Sequence, residues 1–378
     1  MRQHDTIRAI ISGGGTGGHI FPAVSIAHEL KQRNPETDIL FVGAVGRMEM
    51  EKIPAEGYNI VGLPVSGFQR KFTLKNLSVA INALRSLRLA GKLIRDFRPD
   101  VVIGVGGYAS GPTLRKAARM GIPTLLQEQN SYAGVTNKLL AKRADKICVA
   151  YTGMEKYFPG DKIVLTGNPI RDIKISDAQR KEGLELFDLK ADVPVLLVMG
   201  GSLGARTVNQ AIMNNIDRFL DSGMQIIWQT GSYYFDEIRK ELQLKDLKNV
   251  RLTDFISRVD LAYNVADLLV TRAGAISISE ICLTGSAAIL IPSPNVAEDH
   301  QTKNAMALVK ENAAIMVRDS DAVEKLPDKI FEVLNNNDLR KTLRSNSQKL
   351  AKPAATATIV DLIYTIIREK KNGSEQHT

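Results

Sequence analysis

A strand that runs into a glycine turn and out into a helix occurs twice in this chain, the second copy 187 positions after the first (Gly13 to Gly200). The two copies read Ile10-Ile11-Ser12-Gly13-Gly14-Gly15-Thr16-Gly17-Gly18 and Leu197-Val198-Met199-Gly200-Gly201-Ser202-Leu203-Gly204. A repeat of that length calls for two similar halves, each entered through its own glycine loop, and the natural join is the turn-rich Thr166-Gly167-Asn168-Pro169. Short apolar runs alternate with amphipathic segments on both sides of the join. Ile7–Ile11, Asp38–Val42, Val101–Val105, Thr124–Leu126 and Lys146–Val149 precede it; Val193–Val198, Gln225–Trp228, Leu268–Thr271 and Ala288–Ile291 follow. Such runs, separated by helical patterns, are the signature of parallel sheets with crossover helices. The fold class is therefore α/β, with two Rossmann-like domains. With 378 residues, 44% of them hydrophobic, the chain can fill two cores and is neither collagenous nor wholly disordered.

Glycine turns between strand and helix let backbone N–H groups approach a phosphate at the positive end of the helix dipole. Gly13-x-Gly15-x-x-Gly18 formally satisfies the dinucleotide fingerprint, but Gly43 and Ala44 stand where the ribose-binding acid belongs, so NAD binding loses support. No GxxxxGK[ST] is present, which disfavours a P-loop ATPase. A third turn, Gly104-x-Gly106-Gly107-Tyr108-Ala109-Ser110-Gly111-Pro112, follows the strand ending at Val105. One such turn could be only a tight bend that needs positive φ. Three of them at strand ends favour a phosphate-bearing ligand.

Cys148 and Cys282, the two cysteines, have no CxxC companion and read as buried reduced thiols. The longest apolar stretches, such as Val193–Met199, fall far below the roughly 18 residues that span a bilayer, and Met1–Ile11 lacks the succession of a signal peptide. The expected compartment is the cytoplasm. Lys plus Arg number 50 against 41 for Asp plus Glu, a net charge of +9 that favours anionic partners. Much of that excess lies between Phe68 and Arg98, where Arg70, Lys71, Lys75, Arg85, Arg88, Lys92, Arg95 and Arg98 meet the single acid Asp96. Arg85, Arg88, Lys92 and Arg95 recur at helical spacing beside an apolar stripe of Leu84, Leu87, Ala90 and Ile94. This is either the solvated face of a core helix or a peripheral membrane patch. In the second case the bases attract anionic headgroups while Phe68, Phe72, Leu74 and Leu77 dip into the interface. Nucleic-acid binding lacks a motif or a stacking platform.

Individual residues carry two readings each. His19 follows the first glycine loop at a helix N-terminus, where the dipole disfavours imidazolium and keeps the ring available as a base; alternatively it hydrogen-bonds only locally or to a phosphate. Glu280, after the strand ending at Thr271, can accept two ribose hydroxyls or merely compensate a helix dipole from the first turn. Ser202 meets a diphosphate or serves as an N-cap. Asp319-Ser320-Asp321 matches an Asp-x-Asp metal site formally, but in a late polar turn. The alternative to a metal is compensation of a bound ligand's negative charge by helix dipoles, backbone N–H groups and Arg171.

Gly14-Gly15-Thr16-Gly17-Gly18-His19, Gly106-Gly107-Tyr108-x-Ser110-Gly111-Pro112, Glu128-Gln129-Asn130, Gly167-Asn168-Pro169-Ile170-Arg171, Gly200-Gly201-Ser202-x-Gly204-Ala205 and Arg272-x-Gly274-Ala275 closely resemble the motif set of the MurG family. These are the N-acetylglucosaminyltransferases of peptidoglycan synthesis, and the matches run in the family's order from about residue 10 to about residue 305. The resemblance implies a GT-B glycosyltransferase with two Rossmann-like domains facing each other across a cleft. It puts an acceptor and membrane-facing domain at 1–168, a donor domain at 169–353, a returning helix at about 354–367 and a flexible tail at 368–378. The implied reaction is an inverting transfer of N-acetylglucosamine from UDP-N-acetylglucosamine to the muramyl C4 hydroxyl of undecaprenyl-pyrophosphoryl-N-acetylmuramyl pentapeptide (lipid I), giving lipid II, with no cofactor and no metal.

By the same resemblance His19 is the catalytic base, and donor contacts come from Thr16, Gly17, Gly18, Asn130, Arg171, Ser202, Ile256, Ala275, Ile276, Ser277, Ile278, Ser279, Glu280 and Gln301. Within that set Ile256 meets uracil through its backbone, Glu280 the ribose, and Gln301 with Asn130 the sugar hydroxyls. Tyr108, Phe68, Phe72, Lys71, Lys75, Arg85 and Arg88 form the acceptor and membrane side. Expected partners are UDP-N-acetylglucosamine, lipid I, an anionic membrane surface and cell-wall synthesis proteins, with no nucleic acid. The expected location is peripheral, on the cytoplasmic face of the cell membrane. Other readings are another GT-B enzyme using a UDP-sugar, such as a glycolipid synthase or an epimerase, and a nonenzymatic UDP-sugar-binding regulator with no use for His19. An NAD-dependent dehydrogenase is a distant third.

Overall fold

The computed structural model describes residues 6–65, 75–296 and 299–375. Phe68, Lys71 and Phe72 lie outside these residues, and of Lys75 only the backbone is described. The chain divides into two compact units, Met1–Arg171 with Lys352–Thr378, and Asp172–Ala351.

In the first unit the chain forms β1 (Arg8–Ser12), α1 (Gly17–Arg33), β2 (Asp38–Ala44), α2 (Glu49–Ala55), β3 (Asn59–Leu63), α3 (Lys75–Phe97), β4 (Val101–Gly104), α4 (Ser110–Arg119), β5 (Thr124–Glu128), α5 (Val135–Leu140), β6 (Lys146–Val149) and β7 (Ile163–Leu165). The strands form one parallel sheet in the order β3-β2-β1-β4-β5-β6-β7, with Ile10 facing Leu40 on one side and Val102 on the other. Both faces of β1 are covered. Ala9 and Ile11 pack with α1 residues such as Ile26 and Leu30, whereas Ile10 packs with Ala90, Ile94 and Leu114 of α3 and α4. That double burial is why the strands read as unbroken apolar runs.

The second unit holds α6 (Asp177–Leu186), β8 (Val195–Met199), α7 (Arg206–Met213), α8 (Ile216–Asp221), β9 (Gln225–Gln229), α9 (Phe235–Leu242), β10 (Val250–Thr253), α10 (Val259–Val265), β11 (Leu268–Thr271), α11 (Ala275–Thr284), β12 (Ala288–Leu290), α12 (His300–Val309), β13 (Ile315–Met316), α13 (Ala322–Asn335) and α14 (Asn337–Lys349). Its parallel sheet runs β10-β9-β8-β11-β12-β13, the same winding as in the first unit without the last strand. In both sheets the strand order reverses beside the first strand, between β1 and β4 and between β8 and β11. In an open α/β sheet that switch point, at the carboxyl ends of the strands, is where ligands bind.

The final helix, α15 (Ala355–Glu375), returns to the first unit. Ile359, Val360, Ile363 and Ile367 enter the core beside α1, and Arg33 donates to Asp361 (2.5 Å) and to the Ala357 carbonyl (2.8 Å). The units part at Arg171 and Lys352, slightly away from the turn at 168/169 and the position 353/354 that the sequence suggested. The reason is local packing: the Arg171 guanidinium lies 5.3 Å from the centre of the Phe21 ring on α1, and Gly167 packs against Lys352 and Ala355. Residues 368–375, where a flexible tail was expected, continue the helix. Lys370 and Lys371 there reach Asp145 (3.9 Å) and Asp100 (3.7 Å).

Cys148 and Cys282 are buried and unpaired by any disulfide, and burial pushes both thiols up to about 12, so neither is a nucleophile near neutral pH.

Candidate active site

The first unit gathers its chemistry at the carboxyl ends of β1, β2, β4 and β5. Thr16 is the N-cap of α1 and makes no side-chain cap bond, so His19 is the third helical residue. Its Nδ1 lies 2.9 Å from the Gly14 carbonyl and 3.3 Å from the Thr16 hydroxyl. A carbonyl oxygen can only accept, so in the neutral ring Nδ1 carries the hydrogen and Nε2 carries the lone pair. The ring rests on the turn after β4: a Cβ on Gly106, whose φ is +96°, would stand 2.8 Å from Nε2 and Cδ2. Two glycine turns thus converge on one half-buried imidazole. Thr16, Gly15 and Gly18 are exposed, and Tyr108, 53% exposed, stands on the outer side of the turn after β4.

Asn130 is set by a buried carboxylate that the sequence reading quoted only as part of a motif. Glu128, 2% exposed, accepts from the Asn130 N–H (3.2 Å) and Nδ2 (3.4 Å), from Gly134 N–H (2.9 Å) and from Asn137 Nδ2 (2.9 Å). Gln129 donates to the Val105 carbonyl (2.7 Å), which ties this turn to the one after β4. Gln127 donates to Asn168 (3.0 Å), and Asn168 in turn to the Gln129 carbonyl (3.1 Å). A second acid was missed altogether. Glu49, at the start of α2 and 1% exposed, takes the Gly15 N–H (2.8 Å) and the Ala44 N–H (2.9 Å). The Gly15 amide therefore serves an internal carboxylate and is not part of a phosphate cradle. No spacing rule distinguishes Glu49 from an ordinary first-turn acid.

In the second unit, the loop from Gly200 to Gly204 is held from behind by Thr230-Gly231-Ser232. The Ser202 carbonyl accepts from the Ser232 N–H (3.1 Å) and hydroxyl (3.3 Å), and a Cβ on Gly231 would stand 2.0 Å from the Gly204 nitrogen. Ser202 itself is exposed. The N-cap of α7 is Ala205, so Ser202 does not cap that helix. Across the switch point, α11 starts at Ala275 after Gly274, with no acid in its first turn. Ala275, Ile276 and Ile278 bury their side chains, which leaves their backbone groups as what this end of the helix can offer. The Ser279 hydroxyl turns back to the Ala275 carbonyl (3.0 Å), and Ser277 is half-buried.

Glu280 sits in the second turn of α11, 5% exposed, and accepts from the Tyr263 hydroxyl (3.1 Å). A first-turn, dipole-compensating role is thereby ruled out. Ile256 is 5% exposed with its side chain in the core; it lines a cavity of about 600 Å³ with Phe187, Phe235, Leu252 and Phe255. Gln301, on α12, accepts from the Ser293 N–H at Oε1 (2.8 Å), which orients its Nε2 donor end. The Asp-x-Asp carboxylates are engaged by protein groups. The Asp319 oxygens are taken by Arg272 Nη1 (2.5 Å) and the Thr207 hydroxyl (2.9 Å), while Asp321 pairs with Lys325 (2.9 Å) and is held below the ordinary carboxylate range chiefly by that bond.

The basic helix α3 corrects the sequence in one respect. Leu84 is 59% exposed and does not belong to the buried stripe, which consists of Ser86, Ala90 and Ile94 with Leu93 and Phe97 partly covered. Leu84 and Ile81 (50% exposed) instead share the outer face with exposed Arg85, Arg88, Lys92 and Arg95. Among the described residues no helix is long and apolar enough to cross a membrane.

Comparison with known proteins agrees with this arrangement. Residues 9–149 match the glycosyltransferase family 28 N-terminal domain and residues 195–359 the family 28 C-terminal domain. A protein of Parabacteroides distasonis named UDP-N-acetylglucosamine--N-acetylmuramyl-(pentapeptide) pyrophosphoryl-undecaprenol N-acetylglucosamine transferase is 56% identical over 98% of this chain and 100% of its own length. A protein of the same name from Porphyromonas gingivalis is 55% identical over 99% of both chains. The crystal structure of Acinetobacter baumannii MurG superposes with a TM-score of 0.76 at 29% identity, covering 95% of this chain and 99% of that one.

Proposed function

The chain belongs to glycosyltransferase family 28, and from that membership we propose that it moves N-acetylglucosamine from its UDP donor onto the lipid-linked N-acetylmuramyl pentapeptide, lipid I, to give lipid II. The observation that carries this is identity above one half, over essentially the whole length, with transferases of that name. The two Rossmann-like units are those of a GT-B enzyme.

The chemistry is a single displacement with inversion at the anomeric carbon. The C4 hydroxyl of the muramyl sugar attacks C1 of N-acetylglucosamine, the bond from C1 to the phosphate oxygen breaks, UDP leaves with the electron pair, and the hydroxyl proton passes to His19. The tautomer set by the Gly14 carbonyl supports Nε2 as the atom that takes it. The donor is held by backbone groups of the Gly200–Gly204 loop, by Ser202, and by the first turn of α11, whose N-terminus opposes the charge that grows on departing UDP. Glu280 holds the ribose, Ile256 the uracil through its backbone, and Gln301 and Asn130 the sugar hydroxyls; Thr16, Gly17, Gly18 and Arg171 complete the set. The reaction needs no divalent metal, since fixed dipoles and Arg171 supply the compensation. Transfer of radiolabelled N-acetylglucosamine from UDP to a short-chain lipid I analogue tests this directly. Product at an undiminished rate in EDTA is expected. Loss of product in EDTA with recovery on Mg²⁺ would overturn the metal-free mechanism, and no product with UDP binding intact would point to another acceptor.

The enzyme docks peripherally on the cytoplasmic face of the membrane through α3, where Ile81 and Leu84 lie exposed among Arg85, Arg88, Lys92 and Arg95. Each base near an anionic surface contributes about 1 kcal/mol. The double variant Arg85→Gln, Arg88→Gln should therefore bind phosphatidylglycerol vesicles about 30-fold more weakly, with turnover of a water-soluble acceptor unchanged. Equal vesicle binding by variant and wild type in a flotation assay would remove α3 from the docking surface.

A further inference from the structure

We infer that Glu49 is a positioning residue for His19, acting through the single peptide group between Gly14 and Gly15. This deepens the base assignment above and rests on it. The carbonyl and the N–H of that one peptide point to opposite sides, as a trans peptide requires. The carbonyl meets His19 Nδ1 at 2.9 Å, and the N–H donates to Glu49 Oε2 at 2.8 Å. The other carboxylate oxygen accepts the Ala44 N–H at 2.9 Å, so the acid is pinned at both ends between the turns after β1 and β2.

Three features argue for a built arrangement rather than a chance contact. Glu49 is 1% exposed, and a buried carboxylate is retained only where its acceptors are satisfied. Two glycines make room for it: a Cβ on Gly14 would stand 2.2 Å from Glu49 Cδ, and one on Gly43 would stand 2.6 Å from Cγ. Finally, the peptide reaches this orientation through Gly15 at φ +87°, a conformation that disfavours any side chain there. The absence of an acid at the end of β2, which weakened the dinucleotide fingerprint, thus has a counterpart. The acid comes from α2 and faces inward.

The consequence is chemical. A peptide whose N–H donates to a carboxylate becomes a better acceptor at its carbonyl, because the two bonds polarise each other. That carbonyl holds the hydrogen on Nδ1, against the usual preference of neutral imidazole in water for Nε2–H, and so keeps the lone pair on Nε2. When Nε2 takes the proton from the acceptor hydroxyl, the same carbonyl stabilises the imidazolium. This is the role that a carboxylate orienting a histidine plays elsewhere, here passed through one peptide.

The test uses the full-length protein with ¹⁵N-labelled histidine, His19→Ala serving to assign the resonance. In the wild type at a pH where the ring is neutral, His19 should show a protonated Nδ1 and an unprotonated Nε2. In Glu49→Gln, whose amide has one acceptor oxygen for two backbone donors, the Nε2–H tautomer should appear. Turnover should then fall roughly 10- to 100-fold while KM for UDP-N-acetylglucosamine moves less than about 3-fold. Glu49→Asp, which keeps the charge but withdraws it by one methylene, gives a second reading if Glu49→Gln does not fold. An Nε2–H tautomer in the wild type, with Nδ1 accepting from Thr16, overturns the inference. So does an unmoved tautomer in the folded variants, whatever their activity. Retained turnover in His19→Ala would instead remove the base assignment, an outcome the tautomer measurement keeps separate.

Discussion

His19→Ala should lower turnover with lipid I by about 10²- to 10⁴-fold, the range that a positioned general base contributes, while leaving UDP affinity within about 2-fold. The asymmetry follows from where the residue sits. Its ring is half-buried, rests on Gly106 and is bound through Nδ1 to the Gly14 carbonyl, so truncation removes no core side chain and the unit should fold unchanged. Ser202, Ile256, the first turn of α11 and Glu280, which hold the nucleotide in the proposed mechanism, all belong to the other unit. A calorimetric titration with UDP beside a radiolabel transfer assay separates the two quantities. Turnover within about 3-fold of wild type would remove His19 as the base, and a parallel loss of UDP affinity would make it a phosphate ligand instead.

The sequence disclosed the interior of both sheets and little of their edges, and burial explains the difference. β1, β4, β5 and β8 are covered on both faces and read as continuous apolar runs. β3, β7 and β13 lie at sheet edges, carry half-exposed residues and were not predicted. The glycine loops were legible because backbone close to a helix N-terminus needs that composition. What stands behind the loops was not. Glu49 and Glu128 are recognisable only from the backbone amides they accept, and those amides come from turns that spacing does not bring together. The error about Leu84 has the same origin: a helical stripe gives the period of the apolar positions, whereas the sheet and α4 decide which line of them is covered.

Glu280→Gln should weaken UDP binding about 100-fold without loss of folding. The carboxylate is 5% exposed, its Oε2 is already steadied by the Tyr263 hydroxyl, and it lies past the first turn of α11, where compensation of the dipole has faded. A buried carboxylate that offers acceptors to two vicinal hydroxyls makes charge-assisted bonds, each worth about 1.5–3 kcal/mol, and the amide forfeits the charge and one acceptor. A loss of about 3 kcal/mol corresponds to the 100-fold effect. Affinity alone would not separate ribose recognition from damage to the helix, so the comparison needs UDP and an analogue lacking the 2′ and 3′ hydroxyls, each titrated against both proteins. If Glu280 holds the ribose, the analogue binds the wild type weakly and the variant no more weakly still, since the same interaction cannot be removed twice. If the two losses instead add, the carboxylate acts on the fold of α11 through Tyr263, and the ribose is held by the backbone of the Ala275–Ser279 turn.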